Sequence, residues 1–329
     1  MRVLLIDADR TRHDRKMIKK GLKNGFPNIA LMKISAYHKG KGDEVGFDVS
    51  DPEKVYISCV FTWNRDNALS AATLYPTAEI DIGGSGVDLK KRLPVTIGCQ
   101  RPDYSLYGIT DTSYGSTTKG CIRNCYFCIV REKEGPFQIS QHPSAFIGKN
   151  HKNIVFMDNN ILANKEWFLK VCDYVKRQNL KCDFNQGLDA RLLDADIAKA
   201  LSELKPMNHW KIAFDDRSYE EYVKKAIDLM RESGINVRRN LLVYVYCHND
   251  AHYDDAVYRC RKIKEWGATA FSMINKEAEH TPRLGNLKHW TRVQAFHSFD
   301  IDDYDRSVRY KKIDRSHDIV KELCEGDAS

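Results

Sequence analysis

Three cysteines fall within eight residues of this chain, in the run Cys121-Ile122-Arg123-Asn124-Cys125-Tyr126-Phe127-Cys128, spaced CxxxCxxC. Thiolates this close can share one soft metal centre but are poorly placed to staple distant elements. Structural zinc takes four ligands and most iron–sulfur clusters take four cysteines, so a set of three leaves a coordination position open. A [4Fe–4S] cluster held by three thiolates would keep one iron available to a substrate or cofactor, as catalytic zinc keeps one site open. Two plainer readings stand beside this one: a zinc site completed by a distant ligand, and three buried thiols.

The remaining seven cysteines, Cys59, Cys99, Cys172, Cys182, Cys247, Cys260 and Cys324, are dispersed without a framework and read as buried thiols of a reducing compartment. A second cluster built from Cys247, Cys260 and Cys324 has no second CxxC to support it. The chain has 329 residues, 42% of them hydrophobic, which suits one large domain or two modest ones. No apolar run is long enough for a membrane span, and Met1–Asp7 is too short for a signal peptide, so a cytoplasmic protein is expected. The net charge of +7 is compatible with a polyanionic partner, but the basic clusters Arg10–Lys20, Lys90–Arg92 and Arg309–Lys312 also read as solvated faces.

The elements that must position the cysteines follow from the hydrophobic pattern. Arg2–Asp7, Val55–Phe61 and Ile80–Ile82 read as strands, with a helix beginning at Pro27 and a polar, Arg- and Lys-rich stretch over residues 11–24. This alternation predicts a small doubly wound sheet. Gly83–Gly86 reads as a plain turn or as a phosphate cradle at a helix N-terminus. From about residue 107 strand–helix units repeat. Strands are expected at Gly108–Ser113, Asn153–Asp158, Lys181–Asn185, Trp210–Asp215, Asn240–Cys247 and Ala268–Ile274. Helices are expected at Lys165–Gln178, Ala195–Leu204, Tyr219–Ser233 and Tyr253–Trp266. In the third, Val223, Ile227 and Leu229 form the expected buried stripe; Asp194 reads as an N-cap and Ser233-Gly234 as a helix stop. Six such units predict a partial parallel (β/α)6 barrel, whose chemistry belongs on the loops after the strands. The cysteine loop follows the first of them. Thr281–Gly285 reads as a loop, and His289–Phe299 as a closing helix with Trp290, Val293 and Phe296 in phase.

CxxxCxxC after a strand-like run, with Phe127 just before the third cysteine, resembles the radical S-adenosylmethionine (SAM) superfamily. The stretch from Tyr114 to Cys128 is most similar to its cobalamin-binding and methylthiotransferase-like branch, although Ile122 stands where those members usually have proline. The resemblance implies three segments: a shortened, degenerate cobalamin-binding-like domain over 1–105, a radical SAM partial barrel over 106–279 and a C-terminal helical extension over 280–329. It implies a [4Fe–4S] cluster on Cys121, Cys125 and Cys128, with S-adenosyl-L-methionine bound at the open iron. The cluster would cleave SAM reductively to a 5′-deoxyadenosyl radical that abstracts hydrogen from the substrate. A flavodoxin-type reductase as electron donor is implied as well. Cobalamin itself is not expected, because the chain has no Asp-x-His-x-x-Gly.

The same resemblance distributes roles over the strand ends. Phe127, Asp158, Asn159 and Asn160 would meet the cofactor, the last three by accepting from the methionyl amine; an Asn-rich turn capping the next helix is the competing reading. Asn185 and Gln186 would meet a ribose and Arg191 a carboxylate, unless Asp189 and Arg191 simply pair with each other. Asp215 would face SAM or substrate, with helix capping by Asp216 or Ser218 as the alternative. Cys247 and His248 are candidate acid/base or radical-quenching groups, or a structural pair. Met273, Asn275 and Lys276 end the sixth strand and would line a substrate pocket. The substrate is open: a small molecule, a nucleotide or a nucleic-acid base. Two other functions fit the sequence, a cobalamin-dependent radical SAM methyltransferase and a zinc-stabilised nucleic-acid-binding module without catalysis.

Overall fold

The computed structural model describes residues 1–10, 26–292 and 295–304. The basic stretch 11–24 with His13, Val293, the basic cluster Arg309–Lys312 and Cys324 lie outside the described residues. The chain divides into two compact units, Met1–Asn159 with Arg177–Cys182, and Asn160–Lys176 with Asp183–Ser329. Both are α/β structures with parallel sheets.

In the first unit, β1 (Arg2–Asp7), β2 (Glu44–Gly46), β3 (Lys54–Ser58) and β4 (Glu79–Gly83) form a sheet in the order β2-β1-β3-β4, all pairs parallel. Helix α1 (Ile29–Gly40) joins β1 to β2, and α2 (Arg65–Ala72) joins β3 to β4. Strand side chains alternate between faces. Val3, Leu5 and Tyr56 therefore pack with Leu31 and Ile34 of α1, while Leu4, Val55 and Ile57 pack with Ala68 of α2. Helices thus cover both faces, the doubly wound arrangement expected. The third strand stops at Ser58 rather than Phe61: Cys59 N still donates to Gly83 O, but Val60 N and Phe61 N leave the ladder for the Asp9 carboxylate.

The rest of this unit carries α3 (Val95–Gly98), β5 (Thr112–Gly115), β6 (Thr118–Lys119), α4 (Val130–Glu134), β7 (Gln138–Ile139) and β8 (Asn153–Phe156). Strand β5 starts later than the expected Gly108, which lies at φ +62 as the cap of the short turn Tyr104–Tyr107. β5 pairs parallel with β8, and β6 pairs antiparallel with β7. Strand β9 (Lys181–Phe184) begins in this unit, where Lys181 N donates to Lys152 O at 3.0 Å.

The second unit holds the end of β9 and then α5 (Lys165–Arg177), α6 (Ala195–Ser202), β10 (Lys205–Pro206), β11 (Trp210–Ala213), α7 (Glu220–Glu232), α8 (Val237–Asn240), β12 (Leu241–Cys247), α9 (Tyr253–Glu265), β13 (Thr269–Ile274), α10 (Pro282–Trp290) and α11 (Ala295–Ser298). Strands β11, β12 and β13 form a parallel sheet in that order. Asp194 caps α6 by accepting from Ile197 N at 3.0 Å, as expected. Gly234, at φ +90, follows the C-cap Ser233 of α7. The buried stripe of α7 is Val223, Ala226, Ile227 and Met230, with Leu229 only half-buried. Seven residues is nearly two full turns, whereas six leaves Leu229 well off the stripe. Thr281–Gly285 is not a loop: Thr281 accepts from Leu284 N and Pro282 opens α10 at its first position, where a missing N–H costs nothing. Trp290 and Phe296 are buried with ring centroids 4.8 Å apart, but α10 ends at Trp290 rather than running on to Phe299. Among the described residues no helix is long and apolar enough to cross a membrane.

Candidate functional site

In the first unit the chain from Cys121 to Cys128 has neither helix nor strand. The β6–β7 ladder, Thr118 opposite Ile139 and Lys119 opposite Gln138, closes the excursion that carries the three thiols. Gly120 turns the chain out of β6 at φ +70, and a Cβ there would collide with the Pro136 carbonyl. Its N–H donates to Glu134 Oε2 at 2.8 Å, and Asn159 Nδ2 donates to the same oxygen at 2.8 Å. Arg131 Nη1 donates to Cys121 O at 3.0 Å, Arg123 N lies 3.3 Å from Cys121 Sγ, and Cys128 N donates to Cys125 O at 3.0 Å. Cys121 and Cys125 are half-buried and Cys128 is exposed. Phe127 is half-buried, its ring edge-on to Tyr126 at 5.1 Å.

Asp158 anchors the start of this loop. Its Oδ1 accepts from Thr117 N at 2.9 Å, Thr117 Oγ1 at 2.8 Å, and Thr118 N and Oγ1 both at 2.6 Å. Its Oδ2 is buried without a hydrogen-bond partner. Burial pushes the carboxyl above the usual carboxylate range, and the Thr118 and Thr117 donors pull against that. Asp158→Ala orphans two buried N–H groups at about 1–3 kcal/mol each. It should lower stability in urea unfolding by at least about 2 kcal/mol, whereas Asp158→Asn, which retains an acceptor, should cost less. Equal losses for the two variants would show that the acceptor does not hold the loop.

The donor set fits an iron–sulfur or zinc centre in kind: three thiols on one fixed, irregular loop with a buried carboxylate oxygen at its base. Among the described residues no group of three or more His, Cys, Asp or Glu side chains is arranged to hold a metal ion. The fit therefore rests on donor chemistry and on the loop.

In the second unit the strand ends carry the other expected residues. Asn160 Nδ2 donates to Asp189 Oδ2 at 3.2 Å. Arg191 binds the same carboxylate through Nε at 2.7 Å and Nη2 at 3.1 Å, and its guanidinium lies 4.1 Å from the Tyr219 ring centre. The planar fork expected to meet a cofactor carboxylate is thus occupied by Asp189, the competing arrangement. Asn185 is half-buried and Gln186 exposed at the end of β9. Asp215 accepts from Tyr246 N at 2.9 Å, and burial raises its carboxyl against the pull of that N–H and of Arg259. Asp216 does cap the following turn, accepting from Ser218 N at 2.8 Å. Cys247 is fully buried, its thiol pushed up to about 11 by burial and directed at Asn249 O at 3.4 Å. It is a neutral S–H at neutral pH, unsuited to acid/base work by a thiolate. Cys260 is likewise buried and pushed up to about 12. His248 Nδ1 lies 3.0 Å from the Tyr246 hydroxyl.

A cavity of about 440 Å³ opens beyond the ends of β12 and β13, lined by His248, Asn249, Asp250, Asn275, Glu277 and Glu279 among others. Asp250 accepts from Arg283 Nε at 2.7 Å and Thr281 Oγ1 at 2.5 Å, and these bonds hold its carboxyl down at about 2. A depressed folded pKa gives stability that is present above the unfolded value near ~3.9 and lost as pH falls through about 2. Carbon-detected NMR should find Asp250 titrating near 2 and, in Arg283→Ala, closer to ~4; an unchanged midpoint in the variant would refute the assignment.

Three residues that organise these ends escaped the sequence reading. Arg259, only 2% exposed, donates to Phe214 O at 2.6 Å and Tyr246 O at 3.0 Å, tying β11 to β12. Its signal was a cation in phase with the buried Ala256 and Ile263 of α9. Lys211 and Asp183 form a buried ion pair at 7% and 5% exposure, for which a charged residue within each strand gave no warning.

Fold and site together define an α/β protein of parallel sheets with a tri-cysteine loop following a strand. No protein-family model matches the chain, and no curated protein sequence matches it.

Proposed function

We propose that this chain is a radical SAM enzyme. The observation that carries the proposal is the CxxxCxxC loop that follows β5 and β6, held at its base by Asp158 and Glu134. Cys121, Cys125 and Cys128 would hold a [4Fe–4S] cluster with one iron left for S-adenosylmethionine. When bound, such a cluster supplies the electron that splits SAM into methionine and a 5′-deoxyadenosyl radical. Asp158 and Glu134 keep the loop's shape, and the unpartnered Asp158 Oδ2 can accept from an ammonium group. Asn185, Gln186 and Asp215 keep the cofactor roles expected of them, whereas Arg191 and Asp189 act as a paired turn. The neutral thiol of Cys247 suits hydrogen-atom donation better than proton transfer. On this reading β5, β8, β9, β11, β12 and β13 belong to a partial barrel, and a cytoplasmic flavodoxin-type protein supplies the electron. The test is anaerobic reconstitution with iron and sulfide. The protein should turn brown, absorb broadly near ~400 nm, and release 5′-deoxyadenosine from SAM on reduction. A colourless preparation containing zinc and no iron would instead favour a zinc-stabilised module.

A further inference from the structure

We propose that the first unit binds single-stranded nucleic acid on an aromatic platform beside the cysteine loop. This names the substrate class of the proposed enzyme, and rests on that reading for the reaction but not for the binding.

The order β2-β1-β3-β4 reverses direction between β1 and β3, and in open parallel sheets ligands gather beyond the strand ends at such a reversal. Directly after β3 stand Phe61 and Trp63. Their rings stack with centroids 4.6 Å apart at an interplanar angle of 10°, and the residues remain 45% and 47% exposed. Two stacked rings that keep nearly half their surface exposed on a braced loop offer a stacking face to a flat partner.

The loop is fixed from both neighbouring strands. Asp9, beyond β1, accepts from Val60 N at 2.5 Å, Phe61 N at 3.2 Å and Asn64 Nδ2 at 3.0 Å. Beyond β4, Ser85 Oγ donates to Val60 O and Gly86 N to Cys59 O, both at 2.9 Å. Gly84 and Gly86 pack so closely on Cys59 and Phe61 that a Cβ at either would strike backbone carbonyl groups. The Gly83–Gly86 segment therefore braces the platform. It leads into no adjacent helix, the next being α3 at Val95, so a phosphate cradle at a helix N-terminus is not formed there.

Cations line the same edge. Lys133 Nζ is 3.5 Å from Ser85 Oγ, Arg92 donates to the Lys133 carbonyl, and Lys90 is exposed on the loop after Gly86. Two nearby acids are engaged, Asp9 by the three donors above and Asp88 by Lys90 N at 2.7 Å and Lys91 N at 3.1 Å, while Asp66 in the first turn of α2 adds a carboxylate to this edge. Stacking rings flanked by ammonium and guanidinium groups match bases joined by phosphates. Helix α4 links the platform to the chemistry, since Arg131 holds Cys121 O, Lys133 meets Ser85 and Glu134 holds Gly120 N.

The experiment is fluorescence anisotropy of the full chain with labelled oligothymidylate and oligouridylate of about fifteen nucleotides. Wild type should bind either strand at about 50 mM salt and weaken steeply as salt rises. Phe61→Ala and Trp63→Ala should each weaken binding about 5- to 150-fold, and Trp63→Phe, which keeps a stacking face, should recover most of it. Arg92→Ala with Lys133→Ala should flatten the salt dependence. The variant with all three loop cysteines replaced by alanine should bind as wild type does, which separates this proposal from the fate of the cluster. No binding at low salt, or ring variants equal to wild type while circular dichroism shows them folded, would overturn it. So would concentration-dependent dimerisation of the wild type that the ring variants abolish, since the rings would then be a self-association surface.

Discussion

Cys121→Ala, Cys125→Ala and Cys128→Ala are each expected to leave the reconstituted protein with little or no iron, against about four irons per chain in the wild type. A cluster with two of its three protein ligands has neither the charge nor the geometry to persist, so the loss should be near total for each position. Folding should hardly change. Cys128 is exposed, Cys121 and Cys125 are half-buried, and the segment belongs to no helix or strand, so alanine removes little packing. The contrast is Cys260→Ala. That thiol is fully buried and pushed up to about 12, so its replacement should cost stability and leave iron content intact. Iron and sulfide assays, the visible spectrum and a thermal melt on the four variants read both axes. Single loop variants that retain full iron and still release 5′-deoxyadenosine would end the radical SAM reading.

The second large effect concerns the ion pair of Asp183 and Lys211. Both side chains are nearly inaccessible to water, and each is the other's charge partner in the second unit. Removing one leaves an uncompensated buried charge, at about 3–5 kcal/mol, whereas replacing both by apolar groups of similar size is often neutral or stabilising. Lys211→Met and Asp183→Leu should therefore each lose roughly 3–5 kcal/mol in urea unfolding, and the double variant should recover most of it. The effect bears on the strand ends, because the Lys211 carbonyl also accepts from Leu188 N at 2.7 Å, in the turn that presents Asn185 and Gln186. A double variant as unstable as either single one would show that packing rather than charge sets the cost.

What could be read in the linear chain was whatever rests on local periodicity and spacing. The cysteine triad is such a feature, and so are the five strands expected from Asn153 onward, which appear within one or two residues of their expected starts, whereas the short strand Lys205–Pro206 was not foreseen. The N-cap at Asp194 is another. Each depends on residues a few positions apart. The boundaries that moved did so for tertiary reasons: Asp9 draws Val60 and Phe61 out of the third strand across more than fifty residues of chain.

The site residues divide the same way. That Asp158 and Arg191 would sit at strand ends followed from the pattern, but their partners did not. Asp158 turned to the loop threonines and Arg191 to Asp189, because a buried charge takes the nearest compatible groups, wherever the fold has put them. The exposed ring pair and the buried Asp183–Lys211 contact were decided by tertiary structure alone. By itself the sequence determined most element types and the spacing of the three thiols, since helix and strand periods and motif spacing are short-range. Exposure, ion pairing and the neighbours of each carboxylate depend on which distant strands lie side by side, and only the folded chain settles that.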